Sequence, residues 1–156
     1  MATPERSLLT AIVLAIGSEL TAGATRDTNS GDLAAELIER GVEVGRITAL
    51  PDRLGAVTEA FEAALDQAEL VISTGGLGPT PDDLTREAIA AACGATATVD
   101  PALEHWLRDL FERRGLPMAE ANLKQAWLIP GAVALSNGQG TAPGWWVEPD
   151  EAHVIV

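Results

Sequence analysis

From Leu8 to Ile16 the chain is almost continuously apolar and stops at Gly17, the pattern of a strand buried on both faces. The polar, glycine-containing stretch GSELTAGATRDT follows and reads as irregular. A helix is expected from Asn29, a good N-cap, with Leu33, Ala34, Leu37 and Ile38 at helical spacing and Gly41 closing it. Val42 to Leu50 reads as a second strand. After the Pro51-Asp52 break, Val57, Phe61, Ala64, Leu65 and Ala68 line one face of a second helix. Leu70 to Thr74 is a short β-prone run. A third helix turns Leu84, Ala88, Ile89 and Ala92 inward and ends at Gly94.

The second half is less periodic. Pro101 opens a helix carrying Leu103, Trp106, Leu107, Leu110 and Phe111, with Gly115 as its stop, and a shorter helix is expected over Ala119 to Trp127. From Gly131 on, Gly, Pro and Asn alternate with short apolar runs, predicting strands or a hairpin over one sheet edge. Repeated strand–helix order points to an α/β domain with a mainly parallel sheet and helices on both faces. No repeat, low-complexity segment or linker divides the chain, so residues 1–156 read as one domain. The apolar run reaching Val156 predicts that the sequence ends inside the fold or just before a functional loop.

Composition narrows the function classes. The 156 residues are 47% hydrophobic, enough for a core, and contain no run of the roughly 18 apolar residues a membrane span needs. Glu5 precedes the first apolar run, so the start reads as a tail rather than a signal peptide. Cys93 is the single cysteine; it excludes an internal disulfide, fits a reducing cytoplasmic location, and reads as a small apolar helix residue. A net charge of -13 argues against nucleic acid as partner. Small anions remain open, because backbone N–H groups can hold a phosphate inside an acidic protein.

Candidate chemistry concentrates in Ser73 to Thr85, STGGLGPTPDDLT, which leaves a strand and opens a helix. Gly75, Gly76 and Gly78 let the backbone turn tightly and approach a ligand. Such loops lie at the carboxyl edge of a parallel sheet, where ligands bind, and the helix N-terminus adds free N–H groups. Thr80-Pro81-Asp82-Asp83 also reads as a capping box with Asp in place of Glu. Two further loops reach the same edge. One carries Ser18 and Glu19, then Asn29; the other carries Asp52. Asn29 and Asp52 have capping alternatives, whereas Glu19 follows a buried strand with no such reason to be there. Glu19, Asp52, Asp82 and Asp83 together are candidate oxygen ligands for a divalent metal, or groups that orient a ligand's hydroxyls. His105 and His153 lack ligand-like neighbours, and Trp145-Trp146 reads as core, interface or stacking platform.

The stretches IGSELTAGATRDTN, STGGLGPTPDDLTREA, NLKQAWLIPGA and NGQGTAPGW, in this order, resemble the N-terminal domain of the CinA family of competence/damage-inducible proteins. That domain is similar to the molybdopterin-binding fold of MogA, MoaB and MoeA. The resemblance implies a three-layer α/β/α sandwich with its ligand site between the glycine-rich loop and the loops after the first two strands. Leu77 stands where MogA-type loops carry Thr, and Asp82 adds a second acid, both favouring the CinA branch. Thr21-Ala22 and Ser73 are mild departures. By motif position Asp83 matches the loop aspartate of the MogA branch, and Asp52 its other functional acid. The family continues after its last strand into a Leu-Pro-Gly-x-Pro loop, so the expectation is a domain truncated at its C-terminal end, with no amidohydrolase domain.

The resemblance implies metal-dependent hydrolysis of ADP-ribose at its pyrophosphate, giving AMP and ribose 5-phosphate. Asp83, Asp52 and Glu19 are then the catalytic candidates. Ser18, Asn29, Thr74, Gly75, Gly76, Gly78, Thr80 and Thr85 are the ligand-binding ones, and Asp82 with Asp83 the metal ligands. The expected cofactor is a divalent metal ion, magnesium or cobalt, with potassium a further candidate cation. Expected partners are a nucleotide or pterin phosphate and further copies of the chain, with no membrane. Molybdopterin binding in cofactor biosynthesis and a non-catalytic regulatory role are the alternatives.

Overall fold

The computed structural model describes residues 7–151 and 153–155; the expected tail at its start falls largely outside them. Four parallel strands form the main sheet in the order β2-β1-β3-β8: β1 is Thr10–Ile16, β2 Glu43–Leu50, β3 Leu70–Thr74 and β8 Val154–Ile155. β1 is central, which explains its unbroken apolar run, since neither face meets water. β2 is an edge strand with most of its residues exposed, hence its weaker pattern.

Helices cover both faces. Ile12, Leu14 and Ile16 of β1 pack with Val57, Phe61 and Ala64 of α3 (Leu54–Leu65) and with Ala88 and Ile89 of α4 (Thr85–Ala92). On the opposite face Ala11 and Leu70 meet Leu37 of α2 (Asn29–Glu39). Strand alternation sends neighbouring side chains to opposite layers, so one strand serves two cores. The expected α/β/α sandwich is present.

Three expectations need correction. The stretch after β1 is not wholly irregular: Ser18–Thr21 forms a one-turn helix, α1. Asn29 is the first helical residue rather than the cap, and Asp27 Oδ1 accepts the Ser30 N–H at 3.0 Å instead. The shorter helix in the second half is a 3-10 helix, Glu120–Ala126. It lies beside α5 (Pro101–Arg113), whose cap Asp100 accepts from Leu103 N–H at 2.8 Å.

β4 (Thr98–Val99) and β5 (Trp127–Leu128) form a short antiparallel pair. The expected hairpin is β6 (Val133–Leu135) with β7 (Gly144–Trp146), and Val147 just after it bridges Ile155 of β8. Among the described residues no helix is long and apolar enough to cross a membrane.

Candidate functional site

The carboxyl ends of β1, β2 and β3 bring together three loops: residues 17–28, 51–53 and 75–84. The first two are tied by a reciprocal pair. Ser18 N–H donates to Asp52 Oδ2 at 2.7 Å, and Asp52 N–H donates to Ser18 Oγ at 3.0 Å. Asp52 therefore does not cap α3; its carboxylate holds the start of α1. Glu19 is exposed and its carboxylate folds back over Gly17.

The glycine-rich loop leaves β3 with Gly75 and Gly76 at φ 93° and 64°, in the left-handed region. A Cβ on Gly75 would collide with the Ile16 carbonyl, and one on Gly76 with Thr85 Oγ1. The loop carbonyls have identifiable partners. Thr85 Oγ1 donates to Gly75 O at 2.7 Å, Thr85 N–H to Gly76 O at 3.2 Å, and Arg86 Nη1 to Leu77 O at 2.5 Å. In a trans peptide C=O and N–H point in opposite directions, so the following amides, Gly76, Leu77 and Gly78, face away from those partners. Thr85 itself is fully buried and serves as the loop's internal strut.

Farther along, the residues expected to form a capping box close a turn of their own, before α4 begins at Thr85. Asp83 N–H donates to Thr80 O at 3.1 Å, while Asp83 Oδ2 accepts Thr80 N–H at 2.9 Å and Thr80 Oγ1 at 2.5 Å. Burial acts to raise the Asp83 pKa. Hydrogen bonds from Thr80 and Gly78, with the Lys124 ammonium nearby, outweigh it and hold the carboxyl below its ordinary value. Asp82 is exposed.

Two cations that the sequence pattern did not single out lie under this loop. Lys124 Nζ donates to Asp83 O and to Thr80 O, and pairs with Glu87 Oε1 at 2.6 Å. Arg86 is fully buried and also reaches Pro143 O at 3.0 Å. Gln125 Nε2 donates to Thr141 Oγ1 at 3.0 Å, joining the NLKQAW and NGQGTAPGW stretches to each other. The only signal for these residues was their place inside recurrent motif blocks.

Beside the loop, between α2 and β3, lies a cleft of about 490 Å³ lined by Asn29, Asp32, Glu36, Ser73 and Thr74 among others. Asn29 Nδ2 donates to Thr74 Oγ1 at 3.3 Å across its mouth. Glu19, Asp52, Asp82 and Asp83 do not assemble into a metal cage: among the described residues no three acid, His or Cys side chains are placed to hold an ion. His105 and His153 pair locally with Asp109 and Asp150, and Trp145 is core. Cys93 is half-buried, and burial pushes its thiol pKa up.

A family described as a probable molybdopterin binding domain matches residues 12–156. The chain belongs to this family. Within the molybdopterin-binding family it is 56% identical, over 90% of its length and 35% of the relative's, to a CinA-like protein of Deinococcus radiodurans. The chain thus spans about a third of the length of the CinA-like relatives it matches. Among solved structures, CinA of unknown function from Thermoplasma acidophilum superposes with a TM-score of 0.85 at 30% identity, covering 94% of this chain and 85% of that one. MoaB from Thermus thermophilus, a molybdopterin biosynthesis enzyme, gives 0.55 at 21% identity over 94% and 78%, which speaks for the shared fold alone. The domain is CinA-like and of molybdopterin-binding type.

Proposed function

We propose that this domain binds a nucleotide through its diphosphate and hydrolyses ADP-ribose to AMP and ribose 5-phosphate. The observation that carries the reading is the orientation of the glycine-rich loop. Its carbonyls at Gly75, Gly76 and Leu77 are held inward, which turns the Gly76 and Leu77 amides toward the carboxyl edge, an arrangement suited to an anion, while Gly78 N–H is taken by Asp83. The neighbouring cleft offers Asn29 and Asp32 to a sugar's hydroxyls.

In the hydrolysis, water oxygen bonds to one phosphorus while the bridging P–O bond breaks. The water's proton passes to a base, and two phosphate monoesters leave. Asp52 and Glu19 are the carboxylates proposed to receive or steer that proton. Asp83, already accepting from Thr80, acts by shaping the loop. The acids do not fit a resident metal. Magnesium commonly takes one or two carboxylates plus substrate phosphates. A divalent ion would accordingly enter with the diphosphate.

The test is AMP release from ADP-ribose with and without magnesium or cobalt, beside Asp52→Asn and Asp83→Ala. Release that Asp52→Asn abolishes supports the reading; a folded protein that binds ADP-ribose without releasing AMP overturns the hydrolytic part. The family match favours one second reading, a pterin phosphate on the same loop. Pterin fluorescence retained by purified protein, with no affinity for ADP-ribose, would replace the first reading with the second.

A further inference from the structure

Arg86 is fully buried, yet among the described residues no carboxylate lies within ion-pair distance of it. Its guanidinium donates to two carbonyl oxygens, Leu77 nine residues before it at 2.5 Å and Pro143 57 residues after it at 3.0 Å. Nε is buried without a partner. Burial lowers its pKa to about 10 against the opposing pull of the Glu87 and Asp83 carboxylates, so the guanidinium is still charged at neutral pH. The Glu87 and Asp83 carboxylates offset part of the cost of burying this charge, but neither pairs with it directly, and an apolar side chain of similar length would fill the same space without that cost. What an apolar side chain cannot do is hold two carbonyls at once.

We propose that Arg86 is a positioning residue that locks the Leu77–Gly78 peptide with its N–H on the Asp83 carboxylate, fixing the path of the glycine-rich loop, and ties that orientation to the docking of the Asn137–Pro143 segment. The proposal rests on the reading of the glycine-rich loop as a phosphate site. Holding Leu77 O inward sends Gly78 N–H the other way, onto the Asp83 carboxylate. The planar fork of Arg spans both carbonyls; the single ammonium of Lys does not reproduce it. On the far side, Asn137 Oδ1 accepts from Gln139 and Gly140 N–H, and Asn137 Nδ2 donates to Ala142 O. The segment that presents Pro143 O is thus internally braced.

The test compares the full chain with Arg86→Lys and Arg86→Met, using the amide resonances of Gly76, Leu77, Gly78 and Thr141 and titration with ADP-ribose. Expected are folded variants whose resonances move in both segments together, while that of Val57 stays in place, and ADP-ribose binding weakened about tenfold or more. Unchanged loop resonances in either variant would overturn the proposal. So would unfolding of both variants, which would make Arg86 a residue of the core. If wild-type protein fails to bind ADP-ribose, the functional reading falls, while the loop resonances still decide the role of Arg86.

Discussion

Asp83 Oδ2 accepts both the N–H and the hydroxyl of Thr80, at 2.9 and 2.5 Å, and so closes the turn that follows the glycine-rich loop. A carboxylate engaged in this way favours its charged form, and its pKa lies below the ordinary value. The sign follows from linkage. With the folded pKa depressed, the stabilisation is present above the unfolded value, roughly 3.9, and is lost as pH falls through the folded pKa. Asp83→Asn should therefore lower stability at pH 7, with the gap to wild type narrowing below about pH 4. Urea midpoints across that range check it; a gap independent of pH would show that the charge plays no part.

Asp52 offers a separation of structure from chemistry. Asp52→Asn keeps an oxygen for the Ser18 N–H, so stability should stay near wild type, whereas Asp52→Ala should lose about 1 kcal/mol. If both variants release AMP at the wild-type rate, Asp52 is a loop tie and has no role in hydrolysis.

Gly76 and Gly94 have nearly the same dihedral, φ 64° and 61°, but different surroundings. Gly94→Ala meets open space and should cost only the left-handed strain, about 1–2 kcal/mol. Gly76→Ala adds a collision with Thr85 Oγ1, so it should destabilise more and, unlike Gly94→Ala, weaken ADP-ribose binding. Paired thermal melts and titrations measure both differences.

Lys124→Met removes the ammonium from Glu87 and from two loop carbonyls. Glu87 Oε2 is already buried without a partner, so the loss should be about 1–3 kcal/mol. Glu87→Gln on top of Lys124→Met should recover part of it. A double variant as unstable as the sum of the singles would show that the pair itself contributes nothing.

The strands and helices around the sheet were legible because burial imposes periods: β1 has no solvent face, and α3 has one apolar stripe. The glycine-rich loop was legible from composition. The supports beneath it were not. Arg86 and Lys124 have charged side chains, which sequence reading sends to the surface. Their burial depends on carbonyls 57 and 41 residues away, which no local pattern encodes. Thr85 looked like a ligand group because hydroxyls near glycines often are; its inward rotamer toward Gly75 O follows only from the packed turn.

The long reach of these contacts also sets an order of assembly. β1, β2, β3 and α4 can pair and pack using residues 10–92, and Thr85 braces the glycine-rich loop locally, but its last supports come only when Lys124 and Pro143 arrive. Contacts of large sequence separation form late, because the intervening chain must first be ordered. During synthesis, the three strands β1, β2 and β3 would stand before the binding edge was fully supported, and the site would be among the last parts of the molecule to become rigid.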